Sequence, residues 1–234
     1  MTISPFSLQN EWVIHWKRIP SNMKERPIIG QVAKTEEEAL NALASVGLIS
    51  GKQMLNIFSL GKKKLKKMVD RHRIVKHELV MNKKYRIPIY SLGVNGAKIA
   101  GVTGYENNYW VEYTIEEILK RLLFFEFYER FYPRKLFPAP SPFTGAIVIN
   151  DKPMYVYVAR GDLNDLIMFL KWNNMNERII IITESLSFLE HLKMYINNMK
   201  LRIILDENLI NKTKSIGNSF YMLHNNEFIK EGEV

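Results

Sequence analysis

The sequence predicts an α+β protein built from two parts that differ in pattern and in charge. In the first part, three short helical patterns precede two strand patterns, and in the second part helical and strand patterns alternate. One strand pattern of the second part holds four consecutive isoleucines, which is typical of a strand buried on both faces. Basic residues are concentrated in the first part.

Three short helices are predicted in the first part. Thr35, followed by three glutamates, predicts the N-cap and the acidic first turn of the first helix, which Gly47 ends. Ser50 predicts the N-cap of the second helix. After a turn, the third helix is predicted over residues 62–72.

A β-hairpin is predicted directly after the third helix. Its strands cover residues 74–81 and 85–92, which are rich in β-branched and aromatic side chains, and Asn82-Lys83-Lys84 supplies a polar turn. Three helices followed by a hairpin is the order of elements in a winged helix-turn-helix. The sequence predicts such a domain over residues 35–104.

Residues 1–34 are predicted to form an N-terminal arm, either a short helix or an extended segment that packs onto the rest of the protein. Trp12 and Trp16 lie close together in this arm. Because tryptophan carries a large apolar surface, the pair favours burial, against the same chain or against a second subunit.

Residues 105–234 are predicted to form a small α/β domain with a mixed sheet. Its expected role is dimerisation or partner binding. The predicted helices cover residues 114–130, 163–172 and 186–199. The predicted strands cover residues 146–149, 154–158, 178–183 and 201–205.

The charge of the chain is unevenly distributed. The formal net charge is +9, but residues 1–104 hold 18 basic and 7 acidic side chains, whereas residues 105–234 hold 15 and 17. All of the excess positive charge therefore lies in the first part. This asymmetry favours a polyanionic partner for that part, although charge alone leaves a solvated, lysine-rich surface as an equal alternative.

The third predicted helix is amphipathic. At 100° per residue its apolar residues and His72 share one face, and lysines occupy the opposite face and its flanks. A helix of this width fits the major groove of B-form DNA, and the basic hairpin tip is placed to reach a neighbouring groove or phosphates. The expected contacts to double-stranded DNA are Lys62, Lys63, Lys64, Lys66, Lys67, Arg71, Lys83, Lys84 and Arg86.

Like charges on this helix favour an anionic ligand over a merely solvated surface. The pairs Lys62/Lys66 and Lys63/Lys67 stand four residues apart, where like charges repel by a few tenths of a kcal/mol, roughly. An anionic ligand explains why the helix tolerates this repulsion. Lysine binds phosphates well but carries less sequence information than Arg, Asn or Gln at base edges, so both sequence-tolerant and operator-specific binding remain open.

The stretch Leu65–Gly96 resembles the recognition helix and wing of winged-helix regulators. In many of these, the second wing strand runs into a tyrosine-x-leucine-x-x-x-glycine stretch like Tyr90–Gly96 here. A winged helix followed by a helix and a small α/β domain, over residues 35–205, also resembles the replication-relaxation family of plasmid and mobile-element proteins. That resemblance implies a role in plasmid replication, copy control or transcription regulation.

The α/β part is similar to the restriction-endonuclease-like core that members of that family are thought to carry. Active versions hold a metal with an acidic residue at the start of one strand and a carboxylate-x-lysine on the next. Here Thr144 and Gly145 stand at the first position, and residues 155–160 contain no acid-x-lysine. The resemblance therefore implies a degenerate core without catalytic residues.

Other chemistry has no support in the sequence. The five histidines are scattered without metal-ligand spacing, no glycine-rich phosphate loop or nucleophile elbow is present, and no metal or cofactor is expected. Two alternatives remain from other classes: a metal-dependent nuclease or nicking enzyme that acts on the same DNA, and a protein-interaction module with an acidic partner.

The composition also constrains location and assembly. The chain has no cysteine, no apolar run long enough to span a bilayer and no signal-peptide pattern, so a cytoplasmic protein without membrane contact is expected. The aromatic run between Phe124 and Tyr132 predicts a buried helix or a dimer contact. Together with the paired half-sites common in DNA recognition, it suggests a homodimer, which light scattering would test.

Overall fold

The computed structural model describes residues 3–20, 31–173, 177–196, 199–213 and 215–232. Within these residues the protein has eight α-helices, a four-stranded antiparallel sheet and a seven-stranded mixed sheet. The predicted α+β class is confirmed. Among the same residues, no helix combines the length and the apolarity that crossing a bilayer requires.

The chain forms two compact units. One unit comprises Leu8–Phe125, and the other comprises Met1–Ser7 together with Glu126–Val234. We call them the N-terminal unit and the α/β unit. The N-terminal unit therefore extends beyond Gly104, and the first residues of the chain belong with its C-terminal part.

Three short helices open the N-terminal unit, as predicted. Helix α1 spans Lys34–Val46, α2 spans Gly51–Phe58 and α3 spans Lys62–Asp70. The apolar spacing also placed Leu55 on the inward face of α2, and this is wrong, because the Leu55 side chain is 52% exposed. Val69 on α3 is half-buried. The other apolar side chains predicted to face inward are buried. They are Ala39, Leu40, Leu43, Val46, Met54, Phe58, Leu65 and Met68.

The starts of α1 and α2 differ from each other. Ser50 caps α2 as predicted: its hydroxyl accepts a hydrogen bond from the backbone N–H of Gln53, whose side chain accepts one from the backbone N–H of Ser50, a capping box. The predicted cap at Thr35 is wrong, because α1 begins at Lys34 and its N-cap is Ala33, without a side-chain acceptor. The acidic first turn stabilises this end by its charge alone.

The four-stranded sheet contains the predicted hairpin. Strands β3, Ile74–Met81, and β4, Tyr85–Leu92, form it with the bounds that the sequence indicated. Asn82 and Lys83 take positive φ angles of 50° and 55° in its turn. Strand β2, Leu48–Ser50, pairs with β4 at one edge of the sheet.

The N-terminal arm contributes the fourth strand, so its extended alternative is correct. Strand β1, Trp12–His15, pairs antiparallel with β3, with Trp12 opposite Met81. Trp12 and Trp16 are half-buried on this edge. The arm residues 21–30, with Pro27 and Gly30, lie outside the described residues.

Further helical segments follow the hairpin, and the last of them begins in the N-terminal unit and ends in the α/β unit. Helix α4 spans Val94–Ile99, a 3₁₀ helix spans Tyr109–Glu112, and α5 spans Ile115–Glu129. Helix α5 carries most of the aromatic run, and its aromatic side chains are 0–5% exposed within a single chain. They are Phe124, Phe125, Phe127 and Tyr128. The buried-helix prediction is confirmed, and these side chains no longer argue for a dimer.

The α/β unit contains a seven-stranded sheet in which neighbours in sequence are neighbours in space. The central strands β7, β8 and β9 are parallel, and the outer pairs are antiparallel. The four isoleucines of β8 are at most 1% exposed, as expected for a strand covered on both faces. The strands are β5 Leu136–Phe137, β6 Gly145–Ile149, β7 Lys152–Val158, β8 Arg178–Thr183, β9 Leu201–Leu205, β10 Phe220–His224 and β11 Glu227–Lys230.

The helices of this unit are short. They are α6 Asn164–Trp172, α7 Lys193–Ile196 and α8 Asp206–Ile210. The predicted helix over residues 186–199 is only partly correct, because a 3₁₀ helix, Ser187–Leu192, precedes α7, and residues 197 and 198 lie outside the described part of the chain. The hairpin β10–β11 was not predicted, although its Asn225-Asn226 turn, with φ angles of 48° and 63°, is of a type that favours asparagine.

Candidate nucleic-acid interface

Helix α3 separates an apolar face from a cationic one. Leu65 and Met68 are buried under the helix, and Val69 is half-buried beside them. The six predicted DNA contacts on α3 and at its C-cap are all exposed: Lys62, Lys63, Lys64, Lys66, Lys67 and Arg71. Since packing holds one face, the opposite face is available to a ligand along its whole length.

The end of α3 is held by a tight turn against α4. His72 has a positive φ of 53°, which reverses the chain after Arg71. The side-chain amide of Asn95 donates to the carbonyl of Arg71 over 2.9 Å, and the backbone N–H of Asn95 donates to the carbonyl of His72 over 3.0 Å. The backbone N–H of Gly93 donates to the carbonyl of Arg73 over 2.9 Å. The start of α4 thus clamps the α3–β3 turn.

Two glycines, Gly93 and Gly96, allow the start of α4 to approach the backbone of the α3–β3 turn closely. A Cβ atom on Gly96 would lie 2.0 Å from the carbonyl oxygen of Arg73, and one on Gly93 would lie 2.4 Å from the carbonyl oxygen of His72. Both contacts are with backbone atoms, which cannot rotate away as a side chain can. The tyrosine-x-leucine-x-x-x-glycine stretch therefore ends in a position that only glycine fits.

Arg73 does not belong to the cationic surface, although it directly follows the basic helix in sequence. Its side chain is 2% exposed and forms an ion pair with Glu36 on α1. This pair ties the acidic first turn of α1 to the turn after α3. Sequence alone does not distinguish Arg71, which is exposed, from Arg73, because the distinction depends on the reversal at His72.

The hairpin tip carries the remaining three predicted contacts, Lys83, Lys84 and Arg86, and all are exposed. Two of them already have acidic partners: the Lys83 ammonium lies 3.2 Å from a carboxylate oxygen of Glu11, and the Arg86 guanidinium lies 2.9 Å from one of Glu78. Exposed pairs of this kind contribute less than about 1 kcal/mol, so a phosphate can replace the carboxylate. The net charge of the tip is nevertheless lower than the sequence suggested.

A buried histidine joins the arm to the hairpin. His77 on β3 is 2% exposed; its Nδ1 accepts a hydrogen bond from the backbone N–H of Lys17 over 3.0 Å, and its Nε2 lies 2.8 Å from the hydroxyl of Ser91. Because Nδ1 accepts, the neutral ring carries its proton on Nε2. Burial, and secondarily the charge of Lys17, lower the pKa of His77 from 6.5 to about 3.

We expect this histidine to make the N-terminal unit sensitive to acid. Between pH 6.5 and pH 3 the unfolded chain binds a proton at His77 that the folded chain does not, so the free energy of unfolding falls as the pH falls, by up to about 1.4 kcal/mol per pH unit. Urea unfolding at several pH values measures this slope. The variant H77Q should lose the slope, and H15Q, at an exposed histidine of β1, should keep it.

The acid-sensitivity prediction also has a readout in the native protein. An NMR titration should show the His77 ring unprotonated down to about pH 4, one unit above its lowered pKa of about 3. A His77 resonance that titrates near pH 6.5 would contradict the prediction, even if H77Q proved too unstable to measure.

The α/β unit has a separate buried polar centre, which the sequence did not predict. Glu184 and Asp206 directly follow the parallel strands β8 and β9, and Arg160 lies two residues after β7. The three residues therefore meet at the carboxyl edge of the sheet, where α/β proteins commonly bind ligands. Arg160 forms an ion pair with Asp206, and its Nε lies 3.4 Å from a carboxylate oxygen of Glu184. The sequence signal that could have found this centre is the presence of a charged residue within two positions of the end of each of three buried strands.

The first residues of the chain cover this centre. The hydroxyl of Ser4 donates to Asp206, and that of Ser7 donates to Glu184 over 3.1 Å. The Nε of Arg160 also donates to the carbonyl of Phe6 over 3.2 Å. Burial raises the pKa of the Asp206 carboxyl, and Arg160 partly offsets that effect. Glu184 and Asp206 thus both have partners within the α/β unit, which indicates that this cluster stabilises the fold.

Two acidic residues of the α/β unit, Asp151 and Asp162, lie in separate loops. Asp151 lies in the β6–β7 turn with a positive φ of 57°, and Asp162 lies before α6, where its carboxylate accepts from the backbone N–H of Asn164. Within the described part of the chain, no group of three or more His, Cys, Asp or Glu side chains could hold a metal ion.

Comparison with known proteins identified no related protein. No protein-family model matches the chain, and neither a curated protein nor a solved structure matches it significantly. The function must therefore be inferred from the residues and their geometry.

Proposed function

We propose that this protein binds duplex DNA through helix α3 and the tip of the β3–β4 hairpin, as a winged helix-turn-helix. The single observation that carries the proposal is the cationic face of α3. Five lysines are exposed on one nine-residue helix whose other face is buried. The helix is therefore fixed in place by its core contacts and presents its charge to a ligand.

The physical chemistry of phosphate binding supports this assignment. Each lysine that neutralises a phosphate releases a condensed counterion, so affinity falls steeply with salt. Roughly five to eight contacts would lower the affinity by about three orders of magnitude between low and moderate salt. Repulsion between lysines four residues apart destabilises the free helix slightly, and a bound polyanion removes that penalty.

The finer architecture is part of the same proposal. Three helices, a hairpin and a short helix after it, within Leu8–Phe125, are the elements that a winged helix-turn-helix needs, with α3 as the recognition helix. The α/β unit then serves as a non-catalytic partner-binding or dimerisation unit, a degenerate form of the endonuclease-like core. A role in replication or transcription on a plasmid or mobile element follows from the family resemblance alone.

Charge reversal on α3 tests the proposed function. The double variant K63E/K67E should bind a labelled duplex about 100-fold more weakly or worse, because a hydrogen bond to a charged group contributes about 1.5–3 kcal/mol and the new carboxylates repel phosphate. Both side chains are exposed, so the melting temperature should not fall. Fluorescence anisotropy measures the affinity in low-salt buffer.

The matched control reverses two exposed lysines of the α/β unit. K152E/K200E changes the net charge equally, at two positions exposed on the α/β unit, and should retain most of the affinity. If K63E/K67E binds DNA as well as the wild type does, α3 meets another partner, such as an acidic protein surface. Magnesium-dependent nicking of supercoiled plasmid by the wild type would contradict the non-catalytic part of the proposal.

A further inference from the structure

We infer that the DNA footprint of α3 continues into a cationic groove formed with the N-terminal arm, which binds a backbone phosphate of the same duplex. The inference rests on the proposed function, and it adds three residues that the sequence did not indicate: Lys17, Arg18 and Lys76. We call this feature the arm groove.

The arm groove lies beside the C-terminal end of α3. It has a volume of about 550 Å³, and its lining includes the last turn of α3, the start of β3 and the arm residues 17–20. His72 and Asp70 contribute from the α3 side, and Lys76 contributes from β3. The groove residue Asp70 is the last residue of α3, and its side chain is exposed like those of Lys66, Lys67 and Arg71. The groove therefore adjoins the C-terminal end of the cationic helix.

The charge in the arm groove is less compensated than the charge at the hairpin tip. Among the described residues, its charged lining is Lys17, Arg18 and Lys76 against the one carboxylate of Asp70, and all four side chains are exposed. None of the ion pairs between described residues involves these three cations. Two of the three cations at the hairpin tip, by contrast, already pair with glutamates.

The backbone that carries Lys17 and Arg18 is held in place before any ligand arrives. The N–H of Lys17 donates to His77. The side-chain amide of Asn108 accepts from the N–H of Ile19 over 2.6 Å and donates to its carbonyl over 3.0 Å, and the Ile19 side chain is 8% exposed. A preorganised backbone loses less conformational freedom on binding, so these cations suit a phosphate contact.

The chemistry of the groove favours a phosphodiester over a neutral ligand. Three exposed cations around one opening attract a polyanion and release its counterions. The groove also adjoins the helix proposed to lie in the major groove, where the flanking backbone strand passes beside the recognition helix. A backbone phosphate contact positions the protein on the duplex and does not read bases.

Neutral substitutions in the full-length protein test the arm groove. The triple variant K17Q/R18Q/K76Q should bind a labelled duplex at least tenfold more weakly at low salt. In a salt titration, the slope of log affinity against log salt should become shallower by about 0.9 for each lost contact. Its melting temperature should stay near that of the wild type, since all three side chains are exposed.

A control variant and the α3 variant together distinguish failure of the groove inference from failure of the proposed DNA binding. K152Q/K171Q/K200Q removes three exposed lysines of the α/β unit and should leave both affinity and salt slope unchanged. If the arm-groove variant behaves like this control while K63E/K67E still loses binding, the groove inference is wrong and the proposed function stands. If the wild type ignores duplex DNA, or binds polyglutamate in preference to it, both are wrong.

Discussion

Replacing Gly96 with alanine should lower the melting temperature of the N-terminal unit by about 10 °C or more. The new Cβ atom would lie 2.0 Å from the carbonyl oxygen of Arg73, 2.9 Å from its carbonyl carbon and 3.0 Å from the Leu40 side chain. Overpacking typically costs about 1–3 kcal/mol, and each kcal/mol lowers the melting temperature by roughly 2–8 °C. Because the contact is with rigid backbone, we expect the cost for G96A to lie at the upper end of the 1–3 kcal/mol range, that is about 3 kcal/mol.

The G96A variant should also lose DNA affinity before it unfolds. The start of α4 holds the turn that connects α3 to β3, so moving α4 away from Arg73 loosens the basic helix relative to the hairpin. Circular dichroism measures the melting temperature, and anisotropy measures the affinity well below it. If G96A has the melting temperature and the DNA affinity of the wild type, the contact between α4 and the α3–β3 turn does not hold the basic helix in place.

The matched control for G96A is G61A, because there is space for a Cβ atom at Gly61. Its φ is −73°, and the nearest atom to a Cβ placed there is 4.0 Å away, on the Leu55 side chain. Alanine therefore fits without strain, and G61A should melt within a few degrees of the wild type. Because Gly61 lies next to α3, the comparison separates close backbone approach from a general effect of substituting glycine near the basic helix.

Replacing Arg160 with methionine should destabilise the α/β unit by about 3–5 kcal/mol, the typical result of removing one partner of a buried ion pair. Arg160 and Asp206 are 2% and 3% exposed, so R160M leaves the Asp206 carboxylate away from water without its cation. One oxygen of Asp206, Oδ1, already has no hydrogen-bond partner among the residues that the structure describes, so little compensates the loss of Arg160. Urea unfolding measures the change in free energy.

The pH dependence of R160M provides a second test. Without the cation, burial raises the pKa of Asp206 further above its ordinary value, so the folded variant takes up a proton that the unfolded chain does not. R160M should therefore become more stable as the pH falls toward the ordinary pKa of an aspartate, about 3.9. The double variant R160M/D206N should recover much of the lost stability, because neither buried charge remains.

The control for the buried pair is an exposed pair in the same unit. Arg202 and Glu231 are 46% and 28% exposed, and pairs of this kind contribute less than about 1 kcal/mol. R202M should therefore have little effect on unfolding. If R160M is as stable as R202M at neutral pH, the centre at the carboxyl edge of the sheet is solvated, and its structural role is contradicted.

The local sequence pattern was sufficient to predict much of the fold. The spacing of Leu65 and Met68 between lysines identified the faces of α3, and the bounds of β3 and β4 followed from composition and turn residues. The four isoleucines identified β8. Each of these elements has a periodicity or composition that a short window of sequence records.

Other elements have no such local pattern. Strand β1 has four residues and β5 has two, too few for an alternation to stand out. The N-cap of α1 is Ala33, two residues before the predicted Thr35, although alanine has no side chain that could mark a cap in the sequence.

The sequence by itself determined which residues carry the positive charge and which helix presents it, since both depend on residue type and on spacing along a single helix. Tertiary structure alone decided which cations are free. It buried Arg73 against Glu36, paired Lys83 and Arg86 with glutamates, and brought the arm beside α3. These outcomes depend on contacts between residues far apart in the chain, which local pattern does not record.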